Sequence, residues 1–458
     1  MRNKLHIRIN RIVNGPVAIL FALLTLAVSH NAMATPQIQH WETKNGARVY
    51  FVEAPELPIA DIQITFDAGA ARDDGKYGLA LLTNGLLAEG ANGMTAEQIS
   101  EGFESLGAQF GNSAQRDMSL LSLRSLTEAR YLDPALKLLA TVLTKPDFPQ
   151  AVFDRERNRL LQAIDQRKQQ PGELAEEAFY KAVFRDHPYA SLPEGTADTV
   201  KALTVDDLRG FYKKYLVAKN AVIAMVGDFD RQQAEAVAET LIGGLPAGVR
   251  APLVPPVPAL DKASMITIEH PSTQTHILVG QPGMKRGDKD YFALYVGNHI
   301  LGGNGLVSRL SDEIREKRGL SYSTYSYFSP MRSEGPFTLG LQTRNDSAQE
   351  ALDVLRAEVK KFAEQGPTQA ELDAAKKNIT GGFPLGIASN KSIVGYIGMI
   401  GFYGLPLDYL DTFKDNINKL TVNDIKDAFQ RRVQPDKMVT VWVGGAQKSA
   451  SAVSQKQQ

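Results

Sequence analysis

The stretch Glu313–Phe328, EIREKRGLSYSTYSYF, sets a guanidinium at Arg315 and a phenol at Tyr322, seven residues apart. Both groups donate hydrogen bonds, and neither is a ready base or nucleophile near neutral pH. They can assist a reaction but not begin one. Nothing else in the chain supplies a centre for them. There is no cysteine, which removes disulfides, thiolate zinc sites and cysteine catalysis together. Beyond residue 34 the histidines are His40, His187, His270, His276 and His299. No two of them stand four apart with a carboxylate beside them, as a helix-borne metal site needs. A G-x-S-x-G elbow for a serine nucleophile is missing. The glycine cluster in ILGGNGLVSRL (300–310) lacks the Lys-Ser/Thr of a phosphate cradle, and G-x-G-x-x-G is absent.

Local spacing predicts how the pair is held. Leu306, Leu310 and Ile314 form an apolar stripe at helical spacing, which puts Arg315 beside a buried face near a helix end. Gly319 permits a sharp exit. The strand that follows sets Tyr322, Thr324 and Ser326 on one face, with Tyr325 and Tyr327 on the other. The plain alternative has Arg315 solvating or capping the helix and Tyr322 packing in the sheet.

The larger frame is a duplication. LTVDDLRGFYKKYLVAKNAVIAMVG (203–227) aligns without a gap to LTVNDIKDAFQRRVQPDKMVTVWVG (420–444), each running from a Thr cap through an amphipathic helix to an apolar strand. More loosely, GLALLTNGLLAEG (78–90) matches YFALYVGNHILGG (291–303). Between the halves, GLPAGVRAPLVPPVPAL (244–260) is rich in proline and has no apolar period, as an extended linker does. Paired strands before and after long helices predict the α+β class. Two duplicated domains, 35–243 and 261–445, would each be a mostly antiparallel sheet with helices on one face.

Residues 1–34 read as a signal peptide. Arg2, Lys4, Arg8 and Arg11 precede the apolar run 16–29, and Ala32-Met33-Ala34 offers a cut site, so export to the periplasm or beyond is expected. The whole chain balances 51 basic against 51 acidic side chains, and losing that leader leaves it mildly acidic. Neither a nucleic-acid partner nor membrane insertion after cleavage fits that balance. The polar tail 446–458 is predicted to be disordered.

Together these features resemble the pitrilysin-like (M16) metallopeptidases, which include the mitochondrial processing peptidase and its bacterial relatives. The resemblance implies two LuxS/MPP-like metallohydrolase domains. In that family the first half carries G-L-A-H-x-x-E-H, with two histidines on zinc and a glutamate as general base. Here the matching helix reads Gly78-Leu79-Ala80-Leu81-Leu82-Thr83-Asn84-Gly85, so Leu81, Asn84 and Gly85 replace all three. The third ligand, a later glutamate, falls at Gln162 or Ala163. The resemblance thus implies no zinc in this chain.

Its second half is implied to be intact. Arg315 and Tyr322 match the family's arginine and tyrosine that face zinc across a chamber and stabilise the oxyanion of peptide hydrolysis. Gly302, Gly303, Asn304 and Gly305 are similar to the substrate-handling glycine loop of the processing peptidase's non-catalytic subunit; a helix-entry turn is the competing reading. DHPYASLPEGT, with His187, resembles a structural loop of the family. LGAQFGNSAQRDMSLLSLRSL (106–126) looks like the strand on which substrate adds by β-augmentation. The implied protein is the zinc-less subunit of a heterodimer. Its partner would be a homologue bearing H-x-x-E-H and the zinc, and its substrate an unfolded peptide. The alternative is a scaffold or peptide-binding module with this fold and no catalytic role.

Overall fold

The two apolar runs that end the duplicated segments become the buried centre of each half. AVIAMVG forms a strand at Ala221–Gly227 and VTVWVG one at Val439–Gly444, every residue of both buried. Strands shielded on both faces are apolar without alternation. Each is preceded by a helix with a reciprocal cap, Thr204 with Asp207 and Thr421 with Asp424. The structure is a computed structural model and describes residues 35–445. The expected leader 1–34 and tail 446–458 lie outside the described residues.

In chain order the strands are β1 (Gln39–Glu42), β2 (Arg48–Glu53), β3 (Ile59–Phe66), the short β4 (Gly90–Ala91) and β5 (Met94–Thr95), β6 (Gln109–Ala114), β7 (Ser119–Leu126) and β8 (Ala221–Gly227). The second half supplies β9 (Ser264–Glu269), β10 (Gln274–Pro282), β11 (Ser323–Phe328), β12 (Pro336–Arg344) and β13 (Val439–Gly444). The first sheet runs β1-β2-β8-β3-β7-β6 and the second β11-β12-β10-β13-β9. Reversing the second places β9, β13, β10, β12 and β11 on β2, β8, β3, β7 and β6. In each sheet one pair is parallel, β2 with β8 and β9 with β13, and the other pairs are antiparallel. The duplication seen in sequence is therefore a duplication of topology, and β6 and β11 are equivalent edge strands.

Each half packs most of its own helices on one face of its sheet, and the halves then exchange one helix to cover the other face. Helix Pro171–Phe184 of the first half lies on β10 and β13. There Phe179, Val183 and Phe184 join Val439, Val441 and Val443 in one buried cluster. Helix Asn390–Tyr403 of the second half lies on β2, β3 and β8, with Ile397 and Ile400 clustered with Tyr50, Val222 and Val226. Full burial of a large apolar side chain is worth about 1.5–3 kcal/mol, so the exchange joins the halves firmly. Glycines set the approach: a Cβ on Gly401 would lie 2.5 Å from the Tyr50 ring, and one on Gly280 2.7 Å from Phe179.

Residues 244–260 form no helix or strand but are tied down. Val254 and Leu260 are buried, and Arg185 donates to the carbonyls of Pro258 and Ala259. His187 Nδ1 accepts from the Tyr189 amide, so its Nε2 carries the proton and donates to Pro255 O at 2.9 Å. Among the described residues no helix is long and apolar enough to cross a membrane.

Candidate functional site

Arg315 sits in the last turn of a wide helical segment, Ser311–Glu316, anchored by the fully buried Leu310 and Ile314. Gly319, at φ +60°, takes the left-handed exit, and the Leu320 amide donates to Ile314 O. The Arg315 guanidinium is half-exposed, with Nε 3.5 Å from Glu316. Tyr322 lies in the bend before β11, 89% exposed, and among the described residues its ring and hydroxyl have no partner. No hydrogen bond links the two side chains.

Two local expectations fail. Leu306 does not continue the stripe of Leu310 and Ile314; it is 64% exposed beside Val307 at 81%. Gly305 turns the chain at φ +44°, so residues 305–307 form a separate short turn and the helical spacing across it has no meaning. Tyr322 is not in the strand with Thr324 and Ser326. Those two are buried on β11, whereas Tyr322 precedes it and projects past the sheet edge.

The glycine cluster divides by position. Gly302 allows the helical turn His299–Gly303 to press on β11, since a Cβ there would sit 2.6 Å from Ser326 N. The contact is locked by Asn298, which donates from Nδ2 to Ser326 O and accepts from Ser326 Oγ. A Cβ on Gly303 would crowd Asn298 Nδ2 at 2.7 Å. Asn304, by contrast, borders an open surface cavity of about 530 Å³ together with Leu306, Val307 and Glu371. Gly305 meets open space.

In the first half, the positions matched to a zinc motif fall on helix Leu79–Gly85. Asn84 is buried and donates from Nδ2 to Ser119 Oγ and to Leu120 O at 3.2 Å, while its carbonyl accepts from Asn112 Nδ2. It pins the helix to β6 and β7. Leu81 is half-buried, and nothing lies within 4 Å of a Cβ built on Gly85. Gln162 and Ala163 are exposed on helix Gln150–Arg167. An alkyl chain, amides, a methyl group and a glycine do not make the imidazole and carboxylate set that zinc takes, so these residues do not fit the metal. Among the described residues no group of three or more His, Asp or Glu side chains could hold a metal ion. His276, on β10, is held below its usual range by burial and then by the neighbouring His270.

Other residues at the junction of the halves escaped the sequence reading. Asp117, in the β6–β7 turn, accepts from Tyr189 Oη at 2.6 Å, from the Arg332 amide at 2.7 Å and from Tyr403 Oη at 3.2 Å. Tyr189 Oη in turn accepts from the Ser333 amide, and Arg332 reaches Asp67 at 3.1 Å. Beside this network a cleft of about 770 Å³ opens between the halves. No local signal marked the network in sequence, since its partners lie far along the chain.

Comparison with known proteins decides the family. Residues 48–196 match the domain described as insulinase (peptidase family M16), and residues 202–379 match the peptidase M16 inactive domain. The chain belongs to the M16 peptidase family. The crystal structure of a peptidase M16 inactive domain from Pseudomonas fluorescens has the same fold, with a TM-score of 0.87 and 43% identity over 90% of this chain and 98% of that one. A Helicobacter pylori protein named non-peptidase homolog YmxG is 30% identical over 386 residues, 83% of this chain and 87% of its own. A Streptomyces coelicolor relative named an uncharacterized zinc protease is 30% identical over 322 residues, 68% of this chain and 69% of its own. The match to the inactive-domain model spans the half that holds Arg315 and Tyr322.

Proposed function

We propose that this chain is the zinc-less subunit of an M16-type metalloendopeptidase pair, acting outside the cytoplasm after its leader is removed near Ala34. The partner is a homologue with H-x-x-E-H and bound zinc; the substrate is an unfolded peptide. Arg315 and Tyr322 would donate to the peptide carbonyl oxygen as negative charge develops on it, while the partner's zinc would supply the activation of water. The carrying observation is Tyr322, a large aromatic donor left 89% exposed and, among the described residues, without a partner, seven residues after the half-exposed Arg315. A tyrosine that served only packing would be buried. Leu306 and Val307, also exposed, give the same half an apolar rim on which another subunit can close. The unpaired edge of β6 offers a strand for substrate to join.

The second reading, a scaffold or peptide-binding module, draws on the same zinc-poor first half but gives Tyr322 nothing to do. The test is reconstitution with a zinc-bearing M16 homologue from the same organism. Size exclusion should show an equimolar complex that cleaves a quenched fluorescent peptide, while neither chain does so alone. A chain that stays monomeric, or a pair no more active than the zinc subunit, would overturn the proposal.

A further inference from the structure

Helix Asn390–Tyr403 carries glycines at 395, 398 and 401. At two of them the helix settles onto the first sheet: a Cβ would lie 2.6 Å from Gln63 Nε2 at Gly398 and 2.5 Å from the Tyr50 ring at Gly401. At Gly395 a Cβ would meet nothing within 4 Å. The space there belongs to the 770 Å³ cleft between the halves. Met118, Leu120, Phe328, Met331 and Met399 give it adaptable apolar walls. Both equivalent edge strands run out at its rim, β6 at Ala114 and β11 at Phe328.

Arg286 lines the same cleft and, among the described residues, has no counter-ion. Its Nε is buried without an acceptor, and its side chain makes one long hydrogen bond, from Nη1 to Tyr291 Oη at 3.5 Å. The rings of Tyr291 and Tyr403 stand 6.0 and 5.8 Å from the guanidinium. The other charged groups of the cleft are engaged. Arg116 donates to the carbonyls of Tyr189 and Ser191, and Asp117 accepts its three hydrogen bonds. A half-buried cation without a counter-ion is unfavourable until an anion arrives.

We propose that this cleft binds the free C-terminal carboxylate of an extended peptide, with Arg286 as counter-ion and the methionine-rich wall taking the last apolar side chain. An arginine fork suits a carboxylate, and edge strands ending at the rim suit an extended chain. The site rests on the peptide-handling part of the function proposed above and adds to it a recognition of chain ends.

The test is calorimetric titration of the purified chain with the pentapeptide Ala-Ser-Ala-Ala-Leu as free acid and as C-terminal amide. The acid should bind about 10–100-fold more tightly than the amide, as expected for a charge-assisted pair. Arg286→Gln should bring the acid down to the affinity of the amide and leave the amide unchanged. Gly395→Leu, which fills the open space, should abolish binding of both. If Arg286→Gln does not fold, the acid–amide ratio on the wild type and Gly395→Leu decide the matter. Equal binding of acid and amide, equal weakening of both by Arg286→Gln, or no binding of either would overturn the inference. So would full displacement of the acid by equimolar acetate, because the site would then recognise an anion alone. None of these failures touches the pairing with a zinc subunit, which turnover of the assembled pair tests separately.

Discussion

Replacing Asp117 with alanine should loosen both halves at once. The carboxylate is 4% exposed and holds three donors, two of them from the second half: the Arg332 amide and Tyr403 Oη. The third, Tyr189 Oη at 2.6 Å, belongs to the first half. Removing the acceptor leaves two hydroxyl donors and an amide donor without an acceptor, and each buried orphan costs about 1–3 kcal/mol. Water admitted from the adjoining cleft would offset part of this, so we expect a loss of about 3–5 kcal/mol, the range for breaking a buried charged network. Asp117→Asn keeps the volume and one acceptor and should lose roughly half as much. Urea unfolding can be followed in each half separately, because Trp41 lies in the first sheet and Trp442 in the second. Single Trp→Phe backgrounds isolate the two signals, and both midpoints should fall together. A change under about 1 kcal/mol, or a fall confined to one tryptophan, would refute the idea that Asp117 joins the halves.

Two further outcomes follow from buried groups. Asp73 accepts from the amides of Gly78 and Ala80 at 2.9 and 2.8 Å, and burial pushes its carboxyl up to about 7. The folded chain then holds that proton more tightly than the unfolded chain, so the stability it contributes is full below about pH 4 and is lost as pH rises to about 7. Asp73→Asn should remove that slope in unfolding measured from pH 4 to 8; curves parallel to the wild type would contradict it. Gly401→Ala should destabilise by about 1–3 kcal/mol through the clash with Tyr50, while Gly395→Ala should be neutral or stabilising by up to about 1 kcal/mol. Equal melting shifts for the two would mean that the exchanged helix does not pack through Gly401.

The duplication was legible because its two copies keep a cap, an amphipathic helix and an apolar strand in the same order, and those are local signals. Thr204 and Thr421 cap their helices through Asp207 and Asp424, as the paired segments predicted. The helix exchange was not legible. Helix Asn390–Tyr403 is apolar around most of its circumference, so its period names no single partner, and the glycines at 398 and 401 were the one available sign of close packing. Leu306 misled because an i, i+4 spacing carries meaning only if the helix is continuous, and Gly305 interrupts it. The Asp117 network is invisible to any local reading, since Asp117, Tyr189, Arg332 and Tyr403 meet only when both sheets are assembled.

Under the proposed function Tyr322 acts on a reaction centre held by another chain. The direct measurement is kcat and KM of the assembled pair with Tyr322→Phe, partner zinc checked and Tyr325→Phe as control. Among the described residues Tyr322 has no partner, so losing the hydroxyl should leave the melting temperature unchanged. The kcat should fall about 10²–10³-fold, the effect of removing one preorganised oxyanion donor, with KM nearly constant and Tyr325→Phe close to wild type. An assembled pair that cleaves peptide at the wild-type rate with Tyr322→Phe would contradict it.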